Sequence, residues 1–202
     1  MVQGGTPERR WAWERGMTIR RLIAVVLFLG LAAWIAAIFG ASLAAGAVFS
    51  TLGDLDVTLS EASILDAGDQ GRYIAGFITQ PIFAVTDALQ TGCAIIVLAM
   101  LAIQLARSLS GKKWQLAAMI AACVAAALLL VRILFLTRPF DAALAAARRA
   151  VADGDLDAYV AQAAIMHAIH PTLVLIVAST LLAVIVALIA AAASTELGGA
   201  TS

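Results

Sequence analysis

Four polar side chains stand out in an otherwise apolar chain: Asp87, Arg132, His167 and His170. A carboxylate, a guanidinium and two imidazoles can form ion pairs, move protons or bind ions. An ionisable group inside a membrane segment usually faces a partner or a bundle interior. His167 and His170 are three residues apart, so they share one helix face. Met166 adds a thioether, and imidazole with thioether suits copper or haem iron. Such sites normally need three or four ligands, and Asp87 is the one further carboxylate expected at that depth. The plainer alternative leaves the histidines bonded to water or backbone at a membrane surface. Asp87 and Arg132 would then reach headgroups, Arg132 by snorkelling. Metal ligation is therefore not assigned, no cofactor is expected, and no residue is read as catalytic. There is no P-loop, dinucleotide fingerprint or nucleophile elbow. Cys93 and Cys123 sit at different depths in apolar runs and read as small filler, not as a disulfide or a zinc site.

The elements that must position these groups follow from composition. The 202 residues are 63% hydrophobic and 13% charged, with a formal net charge of zero. A soluble domain is about half apolar and about a quarter charged, so the expected partner is a lipid bilayer. Balanced charge without a Lys/Arg-rich block gives nucleic-acid binding no support. Abundant alanine favours close helix contact in lipid.

Residues 1 to 21 form a basic tail with Arg9, Arg10, Arg15, Arg20 and Arg21. Met17 offers a second start, so the first sixteen residues are expected to be an extension without structure. The apolar run from Leu22 to Phe49 exceeds the roughly 7–15 residues of a signal-peptide core, although the Ala-rich text near Ala44 imitates a cleavage site. A retained first span is expected over about residues 22–44, its helix continuing to Leu52. Gly40-x-x-x-Ala44 and Ser42-x-x-x-Gly46 place small residues for close packing. Residues 53 to 72 read as an acidic loop in which Leu55, Val57, Leu59 and Ile64 pack on something. A helix kinked near Pro81 starts at about Gly71 and supplies span two, 84–106. A basic turn, Arg107 to Lys113, leads to span three, 114–136. Pro139 opens a helix over Phe140 to Ala152, which Gly154 ends. Asp155 or Asp157 caps the next helix, whose apolar part is span four, 171–193. Residues 22–194 thus form one four-span domain, and 195–202 a polar tail.

Counting from the basic ends gives depth. Asp87 stands about 20 residues from Arg107, about 30 Å. Counts for Arg132 from Trp114 and for the histidines from Ala193 give similar heights, with Gln80, Thr86 and Gln90 nearby. All four groups are expected in one layer at the outer interface. Pro171 cannot donate to the carbonyl of His167, which marks a kink and a polar pocket there. The N-terminal tail and the turn before span three carry eight Lys/Arg. The positive-inside rule then places both termini in the cytoplasm, at the plasma (inner) membrane.

Several stretches carry a family likeness. They are Gly30-Leu-Ala-Ala-Trp34 through Gly40 to Phe49, and Gly71-Arg-Tyr-Ile followed by Phe77, Pro81 and Phe83. Arg132-Ile-Leu-Phe-Leu-Thr-Arg138-Pro139 and then His167 complete the pattern. This resembles the small four-helix membrane proteins called domain of unknown function 4149, or transmembrane protein 205-like. The resemblance covers most of the chain and implies a membrane protein without established chemistry. The segment between spans three and four is shorter than such proteins usually have. A weaker similarity is to copper-resistance membrane domains. The expected fold is all-α: an integral membrane four-helix bundle with helix extensions and a short helical cap on the outer side, over about Thr51 to Gln80 and Pro139 to Tyr159. The expected function is a non-enzymatic accessory or scaffold protein with a membrane-protein partner or a second copy. The alternative is a transporter or binder of a metal ion or small solute at the outer polar site.

Overall fold

The computed structural model describes residues 7–55, 59–107 and 112–199. Its elements are α1 (Pro7–Asp54), a 3-10 turn (Ser60–Ala62), α2 (Ala67–Arg107), α3 (Lys112–Val131), a π-helical segment (Arg132–Thr137), α4 (Arg138–Asp153) and α5 (Leu156–Gly199). Four rods result, because α3, the π segment and α4 run on without a break. All four are long and apolar enough to cross a membrane, which makes this a multi-pass membrane protein. The all-α bundle expected from composition is the fold observed.

The packing order is a ring. Helix α1 lies on α2, α2 on α3, α3 on α5, and α5 closes back on α1. The main core holds Leu27, Leu31 and Trp34 from α1, Val97 and Leu101 from α2, an alanine row in α3, and Val184 and Ala187 from α5. Ala118, Ala122 and Ala125 are fully buried, and methyl-sized side chains let α3 and α5 approach closely. Large apolar side chains such as Leu43, Phe135 and Leu175 point outward, as they must where the solvent is lipid tails.

A second core sits at the end opposite the termini, the cap end. Ala62, Leu65, Ala147, Ala150, Val151 and Tyr159 form it, with Leu59, Ile64 and Tyr73 packed against them. Leu59 and Ile64 therefore pack as their sequence suggests, whereas Leu55 is exposed and Val57 lies outside the described residues. The buried Gln70 side chain staples the connection: its Oε1 accepts from Leu59 N–H at 2.6 Å and its Nε2 donates to Leu65 C=O at 2.9 Å. Asp66 caps α2 by accepting from Asp69 N–H, and Asp155 caps α5 by accepting from Ala158 N–H. Gly154, at φ 74°, ends α4 in the left-handed region that glycine enters without steric cost.

Several expectations about element bounds are corrected. Residues 7 to 16 are helical and part of α1, because nothing in Pro7–Met17 breaks a helix once Pro7 has started it; residues 1–6 lie outside the described residues. The acidic loop is shorter than 53–72, since α2 begins at Ala67 on its Asp66 cap. Pro139 stands in the first turn of α4 and Gly154 ends that helix, as expected, but no break separates α4 from α3. The wider π turn ahead of it absorbs the donor that proline lacks. The small-residue stripe is not an internal contact: a Cβ at Gly40 or Gly46 would meet nothing within 4 Å. The close approaches occur at Gly71, where a Cβ would stand 2.5 Å from Leu52 O, and at Gly30, 3.1 Å from Val97 Cγ2.

Candidate functional site

The site grows from two polar stripes. Gln80, Asp87 and Gln90 recur on α2 at spacings of seven and three, so they share a face. That face meets the third rod, where the π segment begins at Arg132 and α4 carries Asp141 and Arg148.

At the deeper level, Arg132 donates from Nη2 to Asp87 Oδ1 in an ion pair between α2 and the π segment. Arg132 is 8% exposed. Its position at the first residue of the π segment matters, because the extra residue per turn re-aims the side chains that follow. Beside the pair is a cavity of about 40 Å³ lined by Ile38, Ala41 and Ser42 from α1, by Phe83, Thr86, Asp87 and Gln90 from α2, and by Arg132 and Val177. Gln90 is 2% exposed. Its Oε1 has no hydrogen-bond partner, and neither does Arg132 Nε. Ser42 and Thr86 donate their hydroxyls to the carbonyls of Ile38 and Ile82.

A second network lies about 10 Å nearer the cap end, one heptad along α2. Arg148 donates to Gln80 Oε1 at 2.7 Å and to Gly76 O at 3.4 Å, and its guanidinium lies 3.7 Å from the centroid of the Phe77 ring. Tyr73 meets the edge of Phe77, with centroids 5.1 Å apart. Gln80 Nε2 donates to Asp141 at 3.4 Å. Sequence reading missed Arg148 as a site residue. The available signal was its spacing of seven from Asp141, which puts both on one face of α4.

The chain has no match among protein families, curated proteins or solved structures. Its chemistry therefore rests on its own geometry.

Of the four residues expected in one layer, the structure brings two together. Asp87 and Arg132 pair; His167 and His170 do not join them. Both histidines are exposed on α5, and Met166 packs toward the second core instead. The reason is register. Val177 is the α5 residue that shares the cavity, so His170 stands seven residues, about 10 Å, further toward the cap end, and His167 about 15 Å. Counting from Ala193 set them too deep because α5 continues to Gly199. The helix also runs on through Pro171, and the cavity lies two turns away from that proline. Among the described residues, no three His, Cys, Asp or Glu side chains gather as metal ligands would. Cys93 is buried and Cys123 exposed, and both are free thiols.

Heights measured from the cavity expose one further regularity. Pro81, Pro139 and Pro171 stand six or seven residues toward the cap end from Asp87, Arg132 and Val177, about 10 Å in each rod. On α1, Gly46 stands four residues beyond Ser42, about 6 Å toward the cap end.

Proposed function

We propose that this chain is a non-enzymatic accessory or scaffold protein of the plasma (inner) membrane, with both termini in the cytoplasm. The observation that carries the reading is how the membrane-level charges are used. Asp87 and Arg132 neutralise each other between two helices, and the space beside them has room for a few waters at most. Such a pair fixes the register of α2 against its neighbour, a structural use of charge. The eight basic residues of the N-terminal tail and the turn after α2 support the orientation. The likeness to the four-helix family of unknown function agrees with this reading and adds no activity to it.

The test is native mass spectrometry of the protein released directly from its membrane. A defined homo-oligomer or a stoichiometric second chain is the expected result. A monomer that carries a bound metabolite instead would overturn the scaffold reading.

A second reading, binding or transport of a small solute or metal ion, is favoured by the two unsatisfied polar atoms in the cavity. Its copper or haem version would use the exposed His167 and His170 at the cap end, with Met166 turning toward them. Metal analysis of the purified protein and of its His167→Ala/His170→Ala variant decides that version: metal bound by the first and lost from the second supports it, and metal in neither ends it.

A further inference from the structure

The cavity beside the ion pair combines donors and acceptors in a way that only one class of occupant satisfies. Gln90 Oε1 and Arg132 Nε are both buried and both without a protein partner. Buried polar atoms in native proteins are nearly always bonded, to protein or to ordered water. The hydroxyl protons of Ser42 and Thr86 are committed to the Ile38 and Ile82 carbonyls at 2.9 and 2.7 Å. What those two residues can still offer is lone pairs. Acceptors therefore come from Asp87, Gln90, Ser42 and Thr86, and donors from the Arg132 Nε–H and the Gln90 amide N–H groups.

A cation would stand beside the guanidinium and leave that N–H unmet. An anion would face a carboxylate and further acceptor oxygens. A neutral molecule that both accepts and donates meets every requirement. The volume fixes its size: about 40 Å³ against about 10–15 Å³ for one water, room for about three. We propose that this cavity is a hydration site within the membrane-spanning bundle, in which ordered water accepts from Arg132 Nε–H and donates to Gln90 Oε1. Ser42 and Phe83, both exposed, mark its mouth. The apolar walls of Ile38, Ala41 and Val177 hold the water against the polar side. The site stands whether the chain scaffolds a partner or passes a solute.

The test uses the full chain in phosphatidylcholine vesicles, with side-chain nitrogens labelled in Arg and Trp. Solid-state NMR then measures magnetisation transfer from water. Trp34 Nε1 is the internal reference: it is equally buried and equally unpartnered, but it does not line the cavity. Transfer to Arg132 Nε–H and none to Trp34 is the expected result, with loss of the Arg132 transfer in Gln90→Leu. Should that variant fold poorly, Ala41→Leu fills the cavity from α1 and must abolish the same signal. Transfer absent at Arg132, or unchanged in the filled variant, overturns the proposal. So does a transfer that disappears on adding sodium chloride in place of choline chloride, which would mean a cation takes the site.

Discussion

Removing one member of the Asp87–Arg132 pair leaves the other charge buried without its partner. Breaking a buried pair this way costs about 3 kcal/mol or more, whereas replacing both members with apolar groups is often close to neutral. Arg132→Met should therefore lower unfolding free energy by about 3 kcal/mol, and Asp87→Leu/Arg132→Met should recover most of that loss. Reversible unfolding in detergent reads both, and equal losses in single and double variants would contradict the pairing. Gly71→Ala belongs at the same scale. Its new methyl would meet the backbone of Leu52, which cannot rotate away, so a loss of about 2 kcal/mol is expected in the same assay. The pair was legible in the sequence because helical rise converts residue number to depth, and two opposite charges fell at one height. The histidines were misplaced because depth was counted from a helix end, and helix ends are the least certain part of a sequence reading. The azimuths that put Ser42 and Gln90 on the cavity wall need the neighbouring helices as well.

The π segment is the element on which the third rod depends. It adds one residue relative to an α-helical path, and so sets the angle at which α4 leaves α3. Inserting one alanine between Phe140 and Asp141, past the π segment, should turn the rest of α4 by about 100° against α3, pulling Arg148 away from Gln80 and Phe77. Hydrogen exchange should then rise across Arg138–Asp153 while α3 keeps its protection; a uniform rise along both would contradict this division. Arg148→Met tests the same docking more gently, with a local loss of about 1–2 kcal/mol from the stacked, partly buried guanidinium. Pro139, Gly154 and the Asp155 cap were readable from local chemistry. The continuity across residues 132–137 was not, because proline signals a boundary in sequence and a wider turn can absorb it.

At the scale of the whole molecule, composition alone was enough for the membrane class, and four hydrophobic stretches for the number of rods. The second core was only hinted at, through Leu59 and Ile64, since its two halves, Ala62 with Leu65 and Ala147 to Tyr159, lie 80 or more residues apart in sequence. Topology gives the prediction at this scale. A reporter active only in the cytoplasm should work when fused after Glu196 and fail when inserted after Gly154; the reverse pattern would invert the orientation. The prolines have a consequence of a different kind. Each proline inside a helix removes one backbone hydrogen bond and is a common seat of bending. Three rods carry theirs at one height. The backbone bonds that proline removes are thus gathered near one plane between the membrane core and the cap, which is where bending of one against the other would cost least.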